Sequence, residues 1–118
     1  MAKTGIVELI EAGLRAEGLR QRTIANNTAN LQTPGYRRLD VKFEQLLTKA
    51  IESGGELELE ELEAEVYQPK NTAVNSSGND VNLEGEVGAL IKNNIRQKAF
   101  VRLLSKKYSQ IDQAINIR

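Results

Sequence analysis

Residues 24–38 constrain the fold more than any other part of the chain. The first half of this stretch has apolar residues at helical spacing, so it predicts the end of a long helix. Asn26, Asn27 and Asn30 share a second face of that helix, although asparagine is unfavourable inside helices because its amide competes for backbone hydrogen bonds. A stripe of amides offers donors and acceptors together, so it can hold the backbone of a segment that crosses the helix.

A sharp turn is predicted directly after this helix. Thr33 precedes a proline, which disfavours the helical conformation. Pro34 and Gly35 at the centre of a four-residue turn favour type II, in which Gly35 has a positive φ. Tyr36 and Arg37 then leave in a new direction. On local chemistry alone, the stretch is a helix C-terminus followed by a Pro-Gly turn.

Long helices are predicted at both ends of the chain. The first runs from residue 4 to about 32, and the last runs from about 81 almost to 118, with Asn82 as a candidate N-cap. Heptad spacing gives the first helix an apolar seam, which consists of Val7, Ile10, Leu14, Ile24 and Leu31. The last helix has a seam of its own, which consists of Val101, Leu104, Tyr108, Ile111 and Ile115.

Apolar residues also lie outside these seams. Phe100 and Leu103 are off the seam of the last helix, so they would stay exposed if that seam contacted only the first helix. Large exposed apolar patches usually mark an interface. We therefore predict that both seams and Leu103 form contacts between subunits.

The middle of the chain is predicted to be a small insert. A short helix over residues 39–53 ends at Gly54 and Gly55, and strict Glu/Leu alternation over residues 56–60 suggests a strand. Residues 56–70 fit either a strand or a helix, and we favour extended structure through 66–69 with a small hairpin. Residues 75–80 have the composition of a loop.

These elements predict a mainly α fold. The terminal helices pair antiparallel as a coiled coil, and the middle contributes a short helix with a small extended or hairpin insert. Residues 1–38 and 81–118 would form the paired-helix domain, and residues 39–80 would form an insert within the same single domain.

Composition narrows the function. The 118 residues contain 16 basic and 16 acidic side chains and no cysteine or histidine, which argues against nucleic-acid binding and removes thiolate and imidazole chemistry. Paired carboxylates such as Asp40 and Glu44 specify no reaction by themselves. We therefore predict no enzyme activity, no cofactor, no metal site and no small-molecule substrate. No apolar run is long enough to span a membrane, and no secretory signal is evident.

Charge is separated along the chain. Residues 52–65 hold seven acids and no base, whereas residues 87–118 hold seven bases and one acid. Such blocks are usually solvated faces, and attraction between the ends of neighbouring subunits is the more specific hypothesis.

Residues 24–38 resemble the N-terminal signature of the flagellar axial proteins, in which Ala-Asn-Asn-x-Ala-Asn is followed by Thr-Pro-Gly-Tyr and basic residues. Residues 78–84, 93–100 and 103–108 are similar to the proximal rod members of the flagellar basal-body rod protein family. The resemblance covers almost the whole chain and is weakest over residues 56–74.

The resemblance implies a structural subunit of the bacterial flagellum that polymerises through its terminal helices into the drive shaft. It implies contacts with copies of itself and with other rod proteins, and with the export-gate adaptor and membrane-ring proteins at the base. It also implies type III export without signal cleavage and a final position in the periplasm-spanning rod. A coiled-coil adaptor or a secreted component of a specialised export system is the alternative.

Overall fold

The computed structural model describes residues 5–52 and 62–116. Within them lie five elements: helix α1 (Gly5–Ala29), strand β1 (Asp40–Lys42), helix α2 (Glu44–Glu52), strand β2 (Glu65–Tyr67) and helix α3 (Leu83–Asn116). The predicted fold class is confirmed, since two long terminal helices enclose a short helix and a two-stranded antiparallel pair.

The two long helices pack against each other in opposite directions. Near one end, the Nδ2 atom of Asn27 on α1 lies 3.0 Å from Oε1 of Glu86 on α3. Near the other end, the hydroxyl of Tyr108 donates to Oε2 of Glu11 over 3.4 Å. Because α3 is so long, the molecule is elongated, with extents of 67 × 29 × 16 Å.

The face of α3 that meets α1 differs from the predicted seam. Asn93 is fully buried, and the Phe100 ring lies only 2.6 Å from where a Cβ on Gly13 would stand. The expectation that Phe100 lies outside the contact was therefore wrong. Val101 is 55% exposed, so the contact stripe is rotated away from it. Leu104 and Ile111 of the predicted seam are half-buried, and polar Asn93 occupies a contact position that counting apolar residues could not find.

The predicted seam of α1 lies largely inside the single chain. Val7, Ile10 and Ile24 are buried, and Leu14 and Leu31 are half-buried. Their assignment to a contact between subunits stays a prediction.

The insert lies against α1. Phe43 packs onto Ala12 and Ala16, with Leu47 and Leu62 beside them. Small alanines let the aromatic ring approach the helix closely.

The helix predicted over residues 39–53 begins only at Glu44, because β1 precedes it. Val41 of β1 pairs with Val66 of β2, so the extended structure predicted around residue 66 is confirmed. The strand predicted over residues 56–60, and the helix end at Gly54 and Gly55, lie outside the described residues.

Candidate functional site

Asn27 holds the segment that follows the turn, as the amide stripe predicted. Its Oδ1 accepts from the backbone N–H of Leu39 (2.9 Å) and from the Tyr36 hydroxyl (3.0 Å). Its Nδ2 donates to the carbonyl of Leu39 (2.8 Å) and to the carboxylate of Glu86. All four hydrogen-bonding positions of the amide are thereby used, and the residue is 1% exposed.

Asn26 and Asn30 complete the stripe at its exposed side. Asn26 donates to the Tyr36 hydroxyl (2.9 Å), and Oδ1 of Asn30 accepts from the Thr33 hydroxyl (3.1 Å). The Tyr36 hydroxyl therefore lies between two asparagine amides. Burial raises the pKa of this phenol, and the carboxylates of Glu86 and Asp80 add to that effect, against the hydrogen bond from Asn26 and the charge of Arg38.

The turn has the predicted conformation. Gly35 has a φ of 75°, and the N–H of Tyr36 donates to the carbonyl of Thr33 over 3.2 Å. The N–H of Gly35 donates to the carbonyl of Ser77 (2.8 Å), so the turn is joined to the loop that precedes α3. Pro34, beside it, is exposed.

Asn79, which lies 49 residues after Asn30 in the sequence, bonds to the backbone directly after α1. Its Nδ2 donates to the carbonyls of Asn30 (2.9 Å) and Thr33 (2.8 Å), and its Oδ1 accepts from the N–H of Val81 (2.7 Å). These carbonyls belong to the turn that follows α1, so the Asn79 side chain connects that turn to the loop before α3. Asn79 is itself 1% exposed.

Two buried carboxylates join the same cluster. Asp80 accepts from the backbone N–H of Arg38 and lies 3.2 Å from Nε of Arg37, with which it pairs by charge although the two atoms lack hydrogen-bond geometry. Glu86 lies 3.3 Å from Nε of Arg38. We call the cluster of Asn27, Tyr36, Asn79, Asp80 and Glu86 the polar junction.

A second polar layer connects the middles of the helices. Glu17 is 2% exposed, and its Oε1 accepts from Nδ2 of Asn93 and Nε of Arg96, each over 3.0 Å. Its Oε2 accepts from Arg20 over 2.7 Å. Burial lowers the pKa of Arg20, but the hydrogen bond to Glu44 and the carboxylate charges outweigh it, so the pKa is raised.

Sequence reasoning found only part of this arrangement. It found the asparagines of α1, the turn, and Asn82, whose Oδ1 accepts from the N–H of Gly85 over 3.0 Å as a cap does. It placed Asn79 and Asp80 in a loop, as the structure does, but predicted none of their contacts, and it predicted no contact for Glu86 or Asn93. One signal was available in the sequence. Glu17 interrupts the apolar seam of α1, so a polar partner such as Asn93 is needed opposite it on α3.

Large apolar side chains remain exposed along α3. The predicted interface residues of α3 differ in exposure: Val101, Leu103, Tyr108 and Ile115 are 39–55% exposed, whereas Leu104 and Ile111 are half-buried. The exposed side chains of the whole helix are Leu83, Val87, Leu90, Ile91, Ile95, Val101, Leu103, Tyr108 and Ile115.

The described residues contain neither a candidate metal site nor a membrane-spanning helix. Over 5–52 and 62–116, no group of three or more acidic, histidine or cysteine side chains could hold a metal ion. Over the same ranges, no helix has the length and apolar character needed to cross a membrane.

Comparison with known proteins identifies relatives. The chain is 25% identical to the flagellar basal body rod protein FlgB of Bacillus subtilis over 117 residues, which cover 92% of this chain and 91% of that protein. It is 27% identical to the FlgB of Borreliella burgdorferi over 112 residues, which cover 80% and 83%. Both relatives are flagellar basal-body rod proteins, and the chain is similar to them over most of its length. No protein-family model matches it.

These relatives indicate a structural component of the flagellar basal-body rod. Both relatives are named as rod proteins and neither is named as an enzyme. The polar junction contains residues 27 and 36 of the N-terminal signature and residues 79 and 80 of the C-terminal half. Two sequence regions that resemble the family thus meet at one place in the fold.

Proposed function

We propose that the chain is a proximal rod subunit that polymerises through its terminal helices into the flagellar drive shaft. The observation that carries the proposal is the exposed apolar surface of α3. Nine large apolar side chains of this helix are at least 38% exposed in the single chain. Burying one such side chain contributes about 1.5–3 kcal/mol, so neighbouring copies would gain much by covering them.

Over residues 5–52 and 62–116, the single chain has only a small apolar core. Its buried apolar cluster contains Ala12, Ala16 and Phe43, with three partly buried neighbours. A unit of this size rarely becomes rigid without a partner or a staple. Packing of α3 against several copies in a helical array would supply the missing contacts.

The remaining parts of the proposal rest on the similarity to these rod proteins. The subunit would be exported by the flagellar type III apparatus without signal cleavage and would take its place in the periplasm-spanning rod. Its neighbours would be other rod proteins, together with the export-gate adaptor and membrane-ring proteins at the base. Residues 1–38 and 81–118 would act as the paired-helix unit, and residues 39–80 would act as its insert.

The test uses adjacent leucines on α3. Leu103 is 46% exposed and Leu104 is half-buried. Leu103→Asp should leave helix content in circular dichroism nearly unchanged but abolish incorporation into basal bodies and motility. Leu104→Asp should reduce both, because the Leu104 side chain is already partly covered within the single chain.

Complementation of a strain lacking the native gene supplies the control. Wild-type protein should restore swimming and should be recovered in purified basal bodies. Normal motility of the deletion strain would overturn the rod assignment. Normal assembly of Leu103→Asp would overturn polymerisation through this face. A small defined oligomer in solution, together with absence from basal bodies, would favour the coiled-coil adaptor instead.

A further inference from the structure

α3 carries a stripe of side chains that points away from α1. Its members are Ile91, Ile95, Lys98, Arg102 and Lys106, and we call them the outer stripe. Arg102 comes about two and a half helical turns after the fully buried Asn93, so it lies on the opposite side of the helix. Ile91 and Ile95 are 55% and 63% exposed, and the three cations are exposed as well.

The cations of the outer stripe have no acid nearby on their own helix. Residues 87–111 contain six basic side chains and no acid. Of these six, Arg96 pairs with Glu17, whereas Lys98, Arg102 and Lys106 make no ion pair in the described part of the chain. A stripe that joins two exposed isoleucines to three cations, none of them ion-paired within residues 5–52 and 62–116, is complementary to a surface that joins apolar and acidic groups.

The same chain contains a segment of that kind. Residues 52–65 hold seven acids and no base, with three leucines among them. Its described ends, Glu52, Glu63 and Glu65, are exposed, and Ile51 beside it is 61% exposed. The chain as a whole carries no net charge, and its acidic and basic residues lie in separate parts of the sequence. The acidic segment of one copy can therefore pair with the basic outer stripe of another copy.

We propose that the outer stripe binds the acidic segment, residues 52–65, of a second copy of this chain. The inference rests on the proposed function and names the contact that one subunit makes with the next. The insert that carries the acidic segment packs on α1, through Phe43 and through a 3.4 Å hydrogen bond from Arg15 to the carbonyl of Leu62. The outer stripe faces away from α1, so the contact forms between copies.

The contact joins two different surfaces. An assembly of such copies therefore has a free outer stripe at one end and a free acidic segment at the other. A contact between two different surfaces builds an open helical array when the rotation that relates neighbouring copies does not close into a ring. An anionic lipid surface would also attract the cations, but it would repel the acidic block of the same molecule. Exposed ion pairs are individually weak, so the isoleucines have to share in the binding.

Disulfide mapping tests the contact directly, since the chain has no cysteine. Arg102→Cys combined with Glu65→Cys should give an oxidant-dependent ladder of dimers, trimers and larger species in purified basal bodies. Lys92→Cys combined with Glu65→Cys is the matched control, because Lys92 is exposed on α3 but lies outside the outer stripe. It should give at least about tenfold less cross-linked product.

Charge reversal gives an independent readout. Arg102→Glu should weaken self-association of the purified protein at low salt by about tenfold, since like charges then oppose each other across the contact. Lys92→Glu makes the same change in net charge and should have little effect. Adding Glu65→Arg to Arg102→Glu should restore association, and raising the ionic strength should weaken the wild-type contact because salt screens exposed charges.

The outcomes separate the contact from the function. Protein that is present in basal bodies without a ladder overturns the contact and leaves the rod role standing. Protein that is absent from basal bodies overturns the rod role. A fast-migrating monomer with an internal disulfide overturns the contact between copies. If the wild-type protein sediments with phosphatidylserine vesicles, Arg102→Glu abolishes that sedimentation and no cross-linked ladder forms, the contact between copies is overturned in favour of a lipid surface.

Discussion

The two ends of the helix pair are built on opposite principles. At the turn, Asn27, Asn79, Asp80 and Glu86 are each at most 3% exposed and are held by hydrogen bonds or ion pairs. In α3, by contrast, no described residue after Asn93 is buried. The polar junction specifies one geometry, and the far half of α3 leaves its apolar groups available to other molecules.

Energetics explain the contrast. A buried polar group without a partner costs about 1–3 kcal/mol, so a network that bonds most of its buried polar groups disfavours other arrangements. Exposed apolar groups have no such directionality and can pack against a range of surfaces. The polar junction thus fixes the geometry within the subunit, and the exposed apolar groups of α3 can pack against different neighbouring molecules.

Hydrogen exchange should display the contrast most strongly. We expect amides of residues 24–39 and 79–93 to be protected by up to the full free energy of unfolding, and those of residues 101–116 by much less. The measurement is residue-resolved exchange on dilute monomer. Equal protection in both regions would show that the far half of α3 is already stable, and the comparison would fail.

Asn27→Ala should cause the largest loss among single substitutions. It removes four hydrogen bonds and leaves the backbone of Leu39 and the carboxylate of Glu86 without their partner. We expect the free energy of unfolding to fall by about 3 kcal/mol in chemical denaturation. Asn26→Ala is the matched control, because its side chain is exposed and donates only to Tyr36; its loss should stay below about 1 kcal/mol.

The contacts that the sequence predicted in this region are those between residues close together along the chain. The amide stripe, the turn and the N-cap depend on neighbours within a few residues, so local rules found them. Asn79 lies 49 residues from Asn30, to whose carbonyl it donates, and Asn93 lies 76 residues from Glu17. No local rule connects such pairs, and the polar identity of Asn93 concealed the contact face of α3.

Gly35→Val should destabilise the junction by about 1–3 kcal/mol, because a β-branched residue resists a φ of 75°. The turn directs Tyr36 and everything beyond it, so basal-body assembly should fall more than secretion of the protein. Gly35→Asn is the informative companion, since asparagine tolerates positive φ better. A strain with Gly35→Val that swims normally would contradict the role of the turn.

Gly13→Ala and Gly18→Ala should have opposite signs. A Cβ on Gly13 would stand 2.6 Å from the Phe100 ring, so α1 and α3 must separate or the ring must move. We expect a net loss of about 1–2 kcal/mol despite the better helix propensity of alanine. At Gly18 the nearest atom is a flexible guanidinium nitrogen of Arg22 at 3.9 Å, so alanine should stabilise by up to about 1 kcal/mol. Thermal unfolding of both variants measures the difference, and two gains would mean that Phe100 yields without cost.

The smallest effect expected is that of Tyr36→Phe, and it depends on pH. At neutral pH the loss of a half-exposed hydroxyl between Asn26 and Asn27 should cost about 0.5–1 kcal/mol.

The sign of the pH dependence follows from the raised pKa of Tyr36, which burial causes first and the carboxylates of Glu86 and Asp80 reinforce. The folded state binds this proton more tightly than the unfolded state does. The corresponding stability is therefore complete below the unfolded pKa, near 10, and is lost as pH rises from there toward the folded value. Wild type should lose stability more steeply than Tyr36→Phe between about pH 9 and 11. Parallel stability curves for wild type and Tyr36→Phe in denaturation across that range would show that the hydroxyl is not part of the polar junction in solution.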